Sequence, residues 1–91
     1  MAVTIQLSSL LRAYCGGTSD FKLDAASVRA ALAEIERLHP ALYRSVCDET
    51  GAVRRHVNVF VNTHSIRDGE KLETRLTPGD VVTIIQAVSG G

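Results

Sequence analysis

Few residue types in this 91-residue chain could do chemistry on their own. Its three histidines, His39, His56 and His64, have neither the i, i+4 spacing nor the C-x-x-C context of a metal site. Its two cysteines, Cys15 and Cys47, are too few for a disulfide framework and are interpreted as reduced thiols. No nucleophile–base arrangement is visible. We therefore predict no catalytic residue, no metal and no bound cofactor.

The chemistry that remains is at the C-terminus, where the sequence ends in Gly90 and Gly91. Glycine makes up about 7% of average usage, so a terminal pair arises by chance in roughly one sequence in two hundred. A tip without side chains is thin enough to enter a narrow channel and can bend there. The Gly91 carboxylate is ionised at neutral pH and stays unreactive until it is activated, commonly by ATP. It is the group that this chain could deliver to an enzyme.

Periodicity predicts the elements that would position this tail. Residues 3–7 alternate apolar and polar side chains, which predicts a half-buried strand, and residues 19–23 predict a second strand hairpinned to it. The clearest helix begins after Ser27, whose hydroxyl can cap it, and Pro40 ends it near His39. Residues 41–46 are predicted to add a turn of helix. The apolar face of the main helix is predicted to consist of Val28, Ala31, Leu32, Ile35 and Leu38.

The second half of the sequence predicts further strands. Residues 53–62 have a strong strand pattern, with the valines at 57, 59 and 61 on one face and Asn58, Phe60 and Asn62 on the other. Residues 77–80 form a turn, because Pro78 presets φ and Gly79 accepts a positive φ. Residues 81–88 are a nearly continuous apolar run, which is typical of a central strand.

This order of strand, strand, helix and further strands predicts an α+β fold of the β-grasp (ubiquitin-like) type. One main helix crosses one face of a mixed sheet, and the first and last strands are parallel neighbours in its centre. Residues 1–91 are predicted to be a single domain with a flexible C-terminal Gly-Gly tail at 89–91.

The face of the sheet away from the helix carries a candidate partner-binding surface. If the valines of residues 57–61 face the helix, Phe60 faces away, and on the last strand Thr83 and Ile85 lie on the same open side. Two large apolar residues on neighbouring strands of an open face favour a contact with a partner over incidental exposure.

Six short motifs are typical of one protein family. They are Val3-Thr4-Ile5, Leu11-Arg12, Ser27-Val28-Arg29-Ala30-Ala31-Leu32, Val57-Asn58-Val59-Phe60-Val61-Asn62, Pro78-Gly79-Asp80-Val81-Val82 and Ala87-Val88-Ser89-Gly90-Gly91. Through them the chain resembles the ubiquitin-like sulfur carriers of the ThiS/MoaD family over essentially its full length. The strand motif is most similar to the CysO-type carriers of cysteine biosynthesis.

The resemblance implies a mechanism. An E1-like enzyme would bind the sheet face through Phe60 and Ile85, while Ser89 and Gly90 let the tip thread into its Mg-ATP site. Gly91 would be adenylated there and converted to a thiocarboxylate, and a downstream enzyme would accept the sulfur. That acceptor could be a cysteine synthase-like enzyme or the large subunit of molybdopterin synthase. The chain would be a substrate of these partners and not an enzyme.

Two alternatives share this tail chemistry. The chain could be the small subunit of molybdopterin synthase, or a ubiquitin-like protein modifier conjugated through Gly91. Its zero net charge argues against nucleic acid as a partner. The sequence lacks both an apolar run of membrane-spanning length and a signal-peptide pattern. Together with the reduced thiols, this predicts a cytoplasmic protein without a membrane partner.

Overall fold

The structure, a computed structural model, describes residues 2–66 and 71–86. They form a mixed five-stranded sheet whose strands, in chain order, are β1 (Ala2–Leu7), β2 (Asp20–Asp24), β3 (Val57–Val61), β4 (His64–Ser65) and β5 (Val81–Gln86). The spatial order is β2-β1-β5-β3-β4. The strands β1 and β5 pair in parallel, and all other neighbours pair antiparallel. The predicted hairpin, the central last strand and its parallel pairing with β1 are confirmed.

In the described part of the chain, three α-helices accompany the sheet: α1 (Ser9–Arg12), α2 (Val28–Leu38) and α3 (Pro40–Val46). Short 3-10 helices are formed by Ala13–Cys15 and by Lys71–Glu73. The main helix α2 begins as predicted, because the Ser27 side chain accepts a hydrogen bond from the backbone N–H of Ala30 at 3.1 Å. It ends at Leu38 because Pro40, the first residue of α3, disfavours a helical conformation at His39.

The core lies between the helices and one face of the sheet. Its fully buried large side chains come from three strands and three helices and include Ile5, Ile84, Val59, Leu11, Ile35 and Leu42. No polar or charged side chain among the described residues is buried with them. The apolar periodicities of β1, β3, β5 and α2 therefore converge on a single core.

One member of the predicted helix face is placed differently. Leu38 is 44% exposed, whereas Val28, Ala31, Leu32 and Ile35 are buried. It is the last residue of α2, where the chain turns into α3. The apolar positions Leu42 and Val46 of α3 enter the core in its place.

The predicted strand at 53–62 is too long at both ends. Residues 54–56 lie outside any strand, and Val53 forms only an isolated bridge with Cys47. At the other end, Asn62 adopts a left-handed φ of 56°, which asparagine tolerates better than most residues. Asn62 therefore does not continue the open face with Asn58 and Phe60. The last strand is described to Gln86, and residues 87 and 88 of its predicted range lie outside the described residues.

The left-handed Asn62 instead joins β3 to the start of β5. Its side-chain oxygen accepts a hydrogen bond from the Val81 N–H at 3.0 Å, and its side-chain nitrogen donates to the Asp80 carboxylate at 3.1 Å. The same carboxylate accepts from the backbone N–H of Thr77 at 2.9 Å, within the turn that Gly79 closes with a φ of 89°. These hydrogen bonds, led by the one from Thr77, lower the pKa of Asp80.

This lowered pKa predicts a pH-dependent contribution to stability. An ordinary aspartate has a pKa of about 3.9, so the ionised Asp80 stabilises the fold above that pH and loses its effect as the pH falls through the lower folded pKa. Replacing Asp80 with asparagine should reduce the free energy of unfolding near neutral pH, and the difference from the wild type should shrink on acidification. Urea unfolding at a series of pH values measures it.

The matched control for Asp80→Asn is Glu49→Gln, which removes a carboxylate from an exposed loop position. A difference between wild type and Asp80→Asn that stays constant from neutral to strongly acidic pH would contradict the assignment.

Candidate functional site

The open face of the sheet carries the predicted apolar pair. The valines of β3 and the residues Val82 and Ile84 of β5 are buried against the helices. Phe60 therefore lies on the opposite face, half-buried, and Ile85 lies there with 38% of its surface exposed. The predicted orientation of both side chains is confirmed. Their role in binding a partner stays a prediction.

The strand register places the two side chains close together. Phe60 of β3 is opposite Thr83 of β5, and Asn58 is opposite Ile85. Phe60 and Ile85 are thus diagonal neighbours on adjacent strands, a relation that brings side-chain origins to within roughly 7 Å. Thr83 and Asn58 complete the square with polar groups. The result is a small apolar patch with polar neighbours, the pattern of a docking surface's centre and rim.

The same face has a shallow cavity of about 400 Å³ beside Ile85, at the edge of the sheet where β1 and β5 both end. Its lining includes Leu7, Arg12, Asp20 and Thr83. The Arg12 side chain is held there because its Nε donates a hydrogen bond to the Leu7 carbonyl at 3.0 Å. A cationic group therefore lies next to the apolar patch.

Sequence reasoning did not identify Arg12 as a site residue. The Leu11-Arg12 pair indicated only the resemblance to the family. In α1, Leu11 is fully buried, and the next residue along a helix is rotated by about 100° from it. That rotation brings Arg12 to the cavity beside the open face. A buried leucine followed by an arginine indicates that the arginine lies outside the core. Only the placement of α1 against the strand ends shows that it lies beside the open face.

The C-terminal residues follow from the central strand. β5 is hydrogen-bonded between β1 and β3, and its last described residue, Gln86, is still paired with Val57. Ser89, Gly90 and Gly91 lie outside the described residues. Their predicted roles in threading and activation therefore stay predictions, supported by the fixed position of the strand that precedes them.

The two cysteines are both free and buried. Burial raises the pKa of the Cys47 thiol to about 11, with a smaller contribution from the nearby Asp48 carboxylate. Burial also raises the pKa of Cys15. Because the thiolate is the nucleophilic form, neither side chain is prepared for attack at neutral pH.

The described residues contain neither a cluster of metal ligands nor a membrane-spanning helix. Within residues 2–66 and 71–86, no three histidine, cysteine, aspartate or glutamate side chains are grouped so that they could hold a metal ion. In the same part of the chain, no helix has the length and apolar character needed to cross a membrane.

Comparison with known proteins gives full-length matches. The chain is 30% identical to the sulfur carrier protein CysO of Mycobacterium tuberculosis, over 93 aligned positions that cover all of both chains. Among solved structures, it is similar to the Amycolatopsis orientalis BexX/CysO complex, with a TM-score of 0.88 and 30% identity over 98% of this chain and 99% of the other. It is also similar to the small archaeal modifier protein 1 of Methanosarcina acetivorans, with a TM-score of 0.85 and 30% identity over 99% and 96%.

These structural likenesses confirm the predicted ubiquitin-like β-grasp fold. The model of the ThiS family matches residues 10–91, from α1 to the last residue of the sequence. That match covers most of the chain and includes both the open-face residues Phe60 and Ile85 and the terminal glycines. The chain belongs to the ThiS family.

Proposed function

We propose that this chain is a sulfur carrier whose Gly91 carboxylate is adenylated by an E1-like enzyme and then converted to a thiocarboxylate. The observation that carries the proposal is the 30% identity to the CysO sulfur carrier over the whole of both chains. The sulfur would then be donated in the biosynthesis of cysteine or of a sulfur-containing cofactor or metabolite.

The proposed reaction has two steps. First, a Gly91 carboxylate oxygen attacks the α-phosphorus of Mg-ATP and pyrophosphate leaves, which gives an acyl-adenylate. Next, a sulfide or persulfide sulfur attacks the carbonyl carbon and AMP leaves with the original oxygen. With a persulfide donor, this attack gives an acyl disulfide between Gly91 and the donor. A thiol then attacks the donor's sulfur, which releases the thiocarboxylate and leaves a disulfide between the thiol and the donor. The chain supplies the carboxylate and the enzyme supplies the acid–base and metal chemistry.

The structure supports separate roles for the two parts of the chain: the sheet would bind the enzyme, and the tail would react. The tail follows a strand that is held on both sides, so its base has a defined position relative to the open face. An enzyme that contacts Phe60 and Ile85 would receive the terminal glycines at a defined place. The Amycolatopsis CysO protein was solved in a complex with BexX, which supports protein partners for this chain as well.

Loading of sulfur onto Gly91 is the first prediction of this proposal. After incubation with Mg-ATP, an E1-like enzyme and a sulfide source, the intact mass should rise by the difference between one sulfur and one oxygen atom. Gly91→Ala should fold normally but load at least about tenfold more slowly, because a methyl group at the tip obstructs a narrow channel and displaces the reacting carbon. Intact mass spectrometry measures both.

A chain lacking Gly91 is the control for the site of loading, and a carrier already known to be a substrate is the control for the enzyme. Loading of Gly91→Ala at the wild-type rate would contradict threading. A wild-type chain that gains no mass while the known carrier is loaded would contradict the proposed function.

The apolar patch generates a second prediction. Phe60→Ala and Ile85→Ala should each raise the KM of the activating enzyme for the carrier by about tenfold, which is typical of a residue near the centre of an interface. Leu38→Ala is the control, because Leu38 is an exposed apolar residue like Ile85, 44% against 38%, but belongs to the helical layer. Steady-state adenylation kinetics at several carrier concentrations give the KM values.

Circular dichroism and thermal unfolding should show that each of these variants is folded at the assay temperature. The prediction is contradicted if Phe60→Ala, Ile85→Ala and Leu38→Ala have equal KM values. The activating enzyme would then not bind the open face.

A second candidate function is protein modification. The observation that favours it is the 30% identity to the small archaeal modifier protein 1 of Methanosarcina acetivorans over 99% of this chain and 96% of that one. In that case the activated Gly91 would form an amide with a lysine of a target protein. Epitope-tagged chain expressed in its host should then give higher-mass bands that survive reducing denaturation and disappear with Gly91 deleted. A sulfur carrier alone should give none.

A further inference from the structure

The end of strand β1 and the end of strand β5 meet at Ser8. The last parallel pair between the two strands is Leu7 with Ile84. One residue later, the backbone N–H of Ser8 still donates to the Ile84 carbonyl at 3.0 Å. The sheet therefore continues to the amide of Ser8, although the strand has ended.

The carbonyl of Ser8 does not accept a hydrogen bond from strand β5. It accepts a hydrogen bond from the backbone N–H of Leu11 at 3.0 Å, which opens α1. In a parallel ladder this carbonyl would accept from the N–H two residues beyond Ile84, that of Gln86. The change from strand to helix at Ser8 would thus leave the Gln86 amide without its acceptor.

The side chain of Ser8 replaces the missing carbonyl. Its hydroxyl oxygen lies 3.2 Å from the backbone nitrogen of Gln86 and accepts that hydrogen bond in a half-buried position. Ser8 occupies the N-cap position of α1, where a serine hydroxyl usually binds the first turn of the helix, but here it makes no such cap. The hydroxyl therefore accepts its hydrogen bond from the sheet and not from the helix.

Gln86 is also the residue from which the reactive tail follows. Five residues separate it from the end of the sequence, a reach of about 17 Å when extended. The backbone of Gln86 therefore defines the point from which the last five residues extend. The Ser8 hydroxyl acts at this point.

We infer that Ser8 is a positioning residue for the tail: its hydroxyl holds the Gln86 amide in the sheet and so directs the terminal glycines toward the enzyme that binds the open face. This inference rests on the proposed function. It assigns to Ser8 no contact with the reacting atoms.

Removing the Ser8 hydroxyl should weaken binding of the carrier to the enzyme without slowing adenylation of the bound tail. In Ser8→Ala, the Gln86 amide should exchange with solvent about two- to tenfold faster, as expected for loss of one hydrogen bond. The KM for the carrier in adenylation should rise by a similar factor while kcat is unchanged, since a tail that has entered the active site is the same in both proteins. Ser8→Thr should restore both values, because it keeps the hydroxyl.

The matched control is Ser9→Ala, which removes a hydroxyl from the adjacent exposed position. All four proteins are assayed at a temperature where each is fully folded, with an activating enzyme that loads a known carrier. A merely structural role for Ser8 would lower the unfolding midpoint of Ser8→Ala but leave its KM equal to that of Ser9→Ala.

The outcomes separate the two proposals. If the wild type is loaded and Ser8→Ala has the same KM, or if the Gln86 amide exchanges equally in both, the inference about Ser8 is wrong and the proposed function stands. If the wild type is not loaded at all, the proposed function is wrong and the inference is lost with it. Faster exchange and a raised KM, both restored by threonine, support it.

Discussion

The rest of this structure depends on the double pairing of strand β5. It is hydrogen-bonded to β1 on one side and to β3 on the other, and its residues Val82 and Ile84 are buried under the helices. A strand held on both edges and one face has little freedom to shift its register, because a slip of one residue would expose its buried side chains. The open-face residue Ile85 and the last described residue, Gln86, take their positions from this one strand.

Both ends of β5 rely on side chains that take the place of backbone groups. At the start, the side-chain oxygen of Asn62 accepts from the N–H of Val81, where β3 has turned away. At the end, the hydroxyl of Ser8 accepts from the N–H of Gln86, where β1 has become helix. An unpaired amide at either place would cost part of the stability gained by the ladder. The neighbouring strands stop before the ends of β5, β1 at Ile84 and β3 at Val82, and these two side chains keep the central strand paired beyond those points.

The proposed function separates the chemistry, which the partner enzymes would perform, from recognition of the carrier. Within the described residues, the buried thiols of Cys15 and Cys47 are kept protonated, and the charged groups lie on the surface. For the proposed partners, such a chain would provide a small apolar patch at Phe60 and Ile85 with the positive charge of Arg12 beside it. This arrangement fits a protein that is acted upon, and it fits the ThiS family to which the chain belongs.

The sequence by itself determined the order of elements, the cap at Ser27, the turn at Gly79 and the faces of β3 and β5. Each depends on contacts within a few residues or on a strict period of apolar side chains. Only the tertiary structure decided that Leu38 is exposed, that Asn62 leaves the strand, that Arg12 lies at the cavity beside Ile85, and that Ser8 contacts Gln86. These positions depend on where distant elements end relative to one another. Ser8 and Gln86 meet across almost the whole chain, and no local pattern records a hydrogen bond between residues so far apart.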